Sequence, residues 1–158
     1  MICYYPIAIN LKSRQAVVIG GGLVAERKAL SLLKAGAIVR LVSPTVTRKL
    51  QHLAKTKRLI WHKGKAQKRY ISKAQIIIAA TDDPVVNKNI SQWASKGNIL
   101  VNVVDRPALS NFISLAVFRK SGAIVAVYTD GKDPILSRDL KNFLKENWNE
   151  FLSYRHKL

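Results

Sequence analysis

Gly20, Gly22 and Ala25 stand at G-x-G-x-x-A spacing, and residues of those types at that spacing can hold the pyrophosphate of a dinucleotide. Gly20 permits the tight turn off a strand. Gly22 offers no side chain to keep a phosphate from the backbone. Ala25 is small enough for the following helix to pack close on that strand. The free N–H groups and positive dipole end of the helix then face the phosphates. An acidic residue about 20 positions further on usually takes the ribose. Here no Asp or Glu occurs between Glu26 and Asp82. Ser43, at the tip of the next strand, offers a hydroxyl instead, and Arg40 and Arg48 leave a 2′-phosphate open, so these residues do not choose between NAD and NADP.

The carboxylates number nine: Glu26, Asp82, Asp83, Asp105, Asp130, Asp133, Asp139, Glu146 and Glu150. In open α/β sheets ligands sit beyond the carboxyl ends of the strands, and Asp82, Asp83 and Asp105 each follow an apolar run directly. Asp105 is the sharpest candidate for proton transfer, with Asn102 three residues earlier able to share the rim. Its structural alternative is a turn residue before Pro107. Asp82 and Asp83 can equally cap the helix that starts after Pro84. Asp139, Glu146 and Glu150 read as surface positions. His52, His62 and His156 have no metal-ligand spacing, so no metal site is expected. There is no Ser-His-Asp order, no P-loop and no RNA-recognition signature.

The elements that must position these residues follow from periodicity. Residues 7–14 read as a short edge strand and turn, and residues 17–19 as the strand before the glycines. Ala25, Ala29, Leu32 and Leu33 recur at helical spacing, and Gly36 suits a left-handed helix end. Residues 38–42 form the next strand, closed by Ser43-Pro44. Residues 45–55 read as a helix, 59–62 as a strand, and 70–73 as a helical turn. Residues 74–80 are apolar on both faces, as a central parallel strand requires. A helix over 85–96 with Gly97 at its end and a buried strand over 99–104 complete a Rossmann-like doubly wound parallel sheet. Residues 111–118 and 122–129 then read as two strands about Lys120-Ser121-Gly122, and residues 135–151 as one amphipathic helix. The domain division expected is 1–110 for cofactor binding and 111–158 for a small α+β region. That second region is too small for its own core and is expected to pair with another subunit.

The chain has 158 residues, 48% of them hydrophobic, with Cys3 its one cysteine. That composition excludes disorder, a disulfide framework and a cysteine-based zinc cluster. No apolar run approaches a membrane span. The N-terminus lacks a basic leader, so a cytoplasmic protein is expected. Twenty-seven Lys and Arg against nine acids give +18, which favours polyanionic partners. The cations are scattered and Trp61, Trp93 and Trp148 form no basic stacking platform, so nucleic acid is not the expected partner.

Four blocks in order, residues 17–28 (VVIGGGLVAERK), 79–83 (AATDD), 102–107 (NVVDRP) and 133–138 (DPILSR), resemble the precorrin-2 dehydrogenase / sirohydrochlorin ferrochelatase family, which is also the N-terminal part of multifunctional siroheme synthases. The resemblance runs over nearly the whole chain. It implies NAD-dependent oxidation of precorrin-2 to sirohydrochlorin, on the way to sirohaem or cobalamin, by a homodimer whose second domain exchanges elements between subunits. It implies Asp105 as general base and Thr129 as a hydroxyl residue near the tetrapyrrole. The implied cofactor contacts are Gly20, Gly22, Leu23, Val24, Ser43, Pro44, Thr45, Thr81 and Asp82. The substrate carries eight carboxylate side chains; Arg106, Arg119, Lys120, Lys132 and Arg138 are near enough in sequence to meet them, and Asn102, sharing the rim with Asp105, is a further expected substrate contact. Tyr128 stands where a small residue is expected. Many members carry a further helical domain, whereas this chain stops at Leu158, so a dehydrogenase without iron insertion is the expectation and a bifunctional enzyme its alternative. The rival reading is a non-catalytic dinucleotide sensor or nucleic-acid-binding protein.

Overall fold

The computed structural model describes residues 4–104 and 106–155; Cys3, Asp105 and His156 lie outside the described residues. Two compact units divide them, residues 6–113 and residues 114–155 with Tyr4 and Tyr5. The first unit runs β1 (Gln15–Ile19), α1 (Leu23–Lys34), β2 (Ile38–Ser43), α2 (Arg48–Lys55), β3 (Ile60–Lys63), β4 (Ile76–Ala79), α3 (Pro84–Lys96) and β5 (Leu100–Val103), with 3-10 turns at Lys68–Tyr70 and Pro107–Leu109. Among the described residues its strands form one parallel sheet in the order β3-β2-β1-β4-β5.

The sheet is buried on both faces, which is why β1 and β4 read as unbroken apolar runs. On one face Ala16 and Val18 meet Ala25 and Ala29 of α1 and Leu50 of α2. On the other, Val17, Ile19 and Ile77 meet Ile90 and Ala94 of α3. The chain crosses from one side of β1 to the other between β3 and β4. The carboxyl ends of β1 and β4 therefore flank the crevice where doubly wound sheets take ligands.

Three elements of the first unit differ from the sequence reading. Residues 7–14 form no strand: Ile7 and Ile9, the alternating pair, are exposed, and Leu11 alone reaches the core. The second helix begins at Arg48 because Thr47 caps it, its Oγ1 accepting from Leu50 N at 3.2 Å, which leaves Pro44 and Thr45 outside the helix. Residues 111–115 form no strand either. Asn111 is captured by the outer edge of β5 instead: its Oδ1 accepts from Val101 N at 2.7 Å and its Nδ2 donates to Ile99 O at 3.0 Å. Ser110 Oγ accepts from Val103 N at 2.9 Å. Side chains thus blunt an edge that would otherwise be open to another strand. Asn111→Ala leaves one backbone donor of β5 and the carbonyl of Ile99 just before it without these partners and is expected to cost roughly 1–3 kcal/mol, read as a lower denaturant midpoint.

Lys28 lies on α1 one position from the buried Ala29, and burial, with a smaller contribution from Arg27, lowers its pKa from 10.5 to about 8. Below pH 8 the folded state bears the full cost of holding that charge out of water. Between 8 and 10.5 the folded lysine sheds its proton while the unfolded one keeps it, so stability rises with pH across that window. Lys28→Met is therefore expected to raise the melting temperature at pH 7, by up to roughly 3 kcal/mol in stability, and the gain should fade by pH 10.5.

The second unit consists of β6 (Ala116–Lys120), β7 (Ala123–Val127), α4 (Pro134–Glu146) and α5 (Trp148–Arg155). β6 and β7 form an antiparallel hairpin closed by Ser121 and Gly122, both at positive φ (51° and 76°), as a two-residue type I′ turn requires. The C-terminal helix is not continuous. It breaks at Asn147, whose amide donates back to Phe143 O at 2.9 Å. The break lets Trp148 bury its ring edge-on to Phe118, with Nε1 donating to Ser121 Oγ at 3.1 Å. Tyr4 packs edge-on against Tyr128, so the first described residues belong with this unit and not with the sheet domain.

Candidate active site

The glycine turn is shaped by two close approaches and one opening. Gly20 has φ +122°, and a Cβ there would collide with the carbonyl oxygen of Ala80 at the end of β4. A Cβ on Gly21 would collide with Thr45 O and come within 2.7 Å of Ser43 Oγ. Gly22 is different: nothing lies within 4 Å of where its Cβ would be. Gly22 is also the N-cap of α1 and offers that helix no side-chain cap. The first amides of a helix have no intrahelical acceptor, and at Leu23 and Val24 the side chains are exposed. The turn is thus pressed against β2 and β4 on two sides and open on the third, which is the cradle a pyrophosphate needs.

The loop after β2 is held from below. Thr47 N donates to Gly21 O at 3.0 Å, and Thr47 Oγ1 donates to Glu26 Oε2 at 2.6 Å. Lys49 Nζ lies 3.7 Å from the other Glu26 oxygen. Glu26, Thr47 and Gly21 therefore lock α1 to the start of α2, and Pro44 and Thr45 stand exposed between them. Ser43 is buried, at 6% exposure, with its hydroxyl beside Gly21. That corrects the picture of a ribose-facing hydroxyl at the strand tip.

The turn after β4 is tied in the same way. Thr81 Oγ1 donates to Asn87 Oδ1 at 2.8 Å, and Asn87 Nδ2 donates to Thr81 O at 2.9 Å. The Thr81 hydroxyl thus braces the turn. Asp83 caps α3, its Oδ1 accepting from Val85 N and Val86 N, while Asp82 is exposed and takes no part in the cap. Asn102 is also corrected. It is 6% exposed, and its amide donates to Phe112 O at 3.2 Å, so it pins the following segment and does not open at the rim. Asp105 lies outside the described residues; Arg106, next to it, is exposed.

Thr129, Lys132 and Arg138 belong to the second unit. Thr129 Oγ1 donates to Asp133 O at 2.6 Å and lies 2.8 Å from Ser137 Oγ. Asp133 caps α4 through Leu136 N. Lys132 pairs with Asp130 at 3.6 Å, and Arg138 with Asp139 at 2.8 Å. The Arg138 contact holds the Asp139 carboxyl below its usual range. His62 stacks on Tyr70 with ring centroids 4.9 Å apart, and burial, Arg40 and Arg69 lower its pKa, consistent with a neutral packing residue.

Sequence reasoning missed Gly21, Thr47, Asn87, Ser110 and Asn111. Only Thr47 carried a readable signal, a Thr three residues before the first buried leucine of its helix. The other four act through contacts with residues outside their own turn of chain, from Thr81 for Asn87 to Thr45 for Gly21, which no local pattern announces.

Residues 7–116 match a family model described as NAD(P)-binding. The chain is 39% identical over 142 residues to a siroheme synthase of Photorhabdus laumondii, an alignment covering 90% of this chain and 30% of that protein. It is 39% identical over 139 residues to a siroheme synthase of Nitrosomonas eutropha, covering 87% and 29%. The chain thus spans about 30% of the length of these relatives. A solved structure of SirC, precorrin-2 dehydrogenase, superposes with TM-score 0.80 at 26% identity, covering 98% of this chain and 78% of that one. With a parallel 3-2-1-4-5 sheet, a glycine turn open only at Gly22 and a family match over residues 7–116, the chain belongs to the NAD(P)-binding family.

Proposed function

We propose that the protein catalyses the NAD-dependent dehydrogenation of precorrin-2 to sirohydrochlorin in sirohaem synthesis. The observation that carries this reading is the likeness to the precorrin-2 dehydrogenase SirC over 98% of the chain, across both units. Bound NAD supplies the hydride acceptor. Gly22 and the amides of Leu23 and Val24 hold its pyrophosphate, and Pro44, Thr45, Thr81 and Asp82 line the crevice on either side. The reaction removes a hydride and a proton from the macrocycle and leaves one new double bond. Asp105, two residues after β5 in the sequence, takes the proton. Arg106, Lys132 and Arg138 serve the substrate carboxylates.

The protein acts as a homodimer in this reading. α4 leaves Leu136, Leu140 and Phe143 exposed, and the hairpin leaves Val117 and Ile124 exposed, more apolar surface than so small a unit carries alone. No helix among the described residues is long and apolar enough to cross a membrane, in keeping with work in the cytoplasm.

The test is to mix protein, precorrin-2 and NAD and to follow NADH and sirohydrochlorin by absorbance. Stoichiometric appearance of both is expected. Cofactor binding without NADH above background would leave the sensor reading in its place.

A further inference from the structure

We propose that the cavity between α3 and the turn after β5 is a carboxylate subsite for the substrate, with Lys88 as a substrate-binding residue beside Arg106. This rests on the dehydrogenase reading and adds to it a site and a residue. The cavity has a volume of about 710 Å³. Val85, Lys88, Asn89 and Gln92 of α3 line one side, and Arg106 and Leu109 line the other. Both walls start at carboxyl ends of strands, α3 after β4 and Arg106 after β5, on the edge where the reaction is placed.

The walls are built and not incidental. Ser91, buried on α3, donates to Leu109 O at 2.6 Å. Leu109 N donates to Arg106 O at 3.0 Å, and Arg106 N to Val103 O at 3.2 Å. The 3-10 turn is therefore fixed to the helix on one side and to the strand on the other, which sets the width between Lys88 and Arg106. Among the described residues neither cation forms an ion pair.

Lys88 lies in the second turn of α3, exposed on the side that lines the cavity. An anion in the cavity would meet lysine and guanidinium together, with the arginine able to grip a carboxylate through two donors. The lining also matches the chemistry of a carboxylate arm. Val85, 66% exposed, and Leu109 offer apolar surface to methylene stems, and the cations and the amides of Asn89 and Gln92 meet their ends.

The experiment compares the full chain with Lys88→Gln and Lys88→Arg, both at an exposed position whose change leaves the fold alone. Two readouts are taken: steady-state kinetics with precorrin-2 and NAD, and direct titration of sirohydrochlorin by quenching of tryptophan fluorescence. Lys88→Gln should raise the KM for precorrin-2 and the Kd for sirohydrochlorin roughly tenfold, with kcat and the Kd for NAD unchanged. Lys88→Arg should restore both to within about threefold. A Kd for sirohydrochlorin within twofold of the parent in Lys88→Gln overturns the subsite, whether or not the parent turns over. Absence of NADH from the parent, with tetrapyrrole binding still sensitive to Lys88, overturns the dehydrogenase reading and keeps the subsite.

Discussion

Gly22→Asp should lose affinity for NAD by roughly a hundredfold or more while melting at the same temperature or slightly above it. The two effects have separate causes. Gly22 stands in extended backbone with φ −80° and open space around its missing Cβ, so the fold has room for an aspartate. Aspartate is also a better N-cap than glycine by a few tenths of a kcal/mol, and α1 has no side-chain cap to lose. The same carboxylate would occupy the cradle and oppose the pyrophosphate charge, and like charges so placed cost several kcal/mol. Gly20→Ala should behave in the opposite way. Its Cβ meets the backbone of Ala80 at φ +122°, a region closed to side chains, and β1 and β4 cannot separate without breaking the centre of the sheet. That variant should fail to fold or lose most of its stability. Isothermal titration with NAD and thermal melts of the two variants check the contrast. Equal NAD affinity in Gly22→Asp and the parent would remove Gly22 from the cofactor site.

Why the two glycines differ is visible in the structure and only half visible in the chain. Their spacing announces a turn, a strand before it and a helix after it, and the unbroken runs at Val17-Val18-Ile19 and Ile76-Ile77-Ile78 announce strands with both faces covered. Those are local patterns, and local patterns carried the parallel sheet, its helices and the carboxyl edge. What stayed hidden depends on pairing between distant backbone groups. Asn111 looked like the start of a strand because apolar residues follow it, yet it serves the edge of β5. Asn102 looked like a rim residue because it precedes Asp105, yet the pleat turns it inward to Phe112. Trp148 fitted the apolar stripe of one long helix, and its demand for a hydrogen-bond partner on the hairpin split that helix in two. The charge shows the same limit: +18 suggests an anion somewhere, and only the cavity between α3 and the turn after β5 points to Lys88 as a place to receive it.

Asp105→Asn should lower kcat by about 10²–10⁴-fold with the Kd for NAD unchanged, the range expected when a positioned general base is removed. Asparagine is the variant that separates two roles a carboxylate after β5 could have. If Asp105 acts by capping the turn before Pro107, asparagine caps and turns as well as aspartate does, and turnover and melting temperature should both stay at parent values. If it accepts the proton lost with the hydride, the neutral amide has no lone pair basic enough to replace it, and the chemical step should fail while the protein folds and binds cofactor as before. Its neighbours support the second role. The buried strand β5 ends at Val103, two residues before it in sequence, and Arg106, the residue after it, lies on the wall of the cavity with Lys88. Single-turnover measurements with saturating NAD separate the chemical step from binding; full turnover in Asp105→Asn would assign the proton to water or to another residue and leave Asp105 as the cap of its turn.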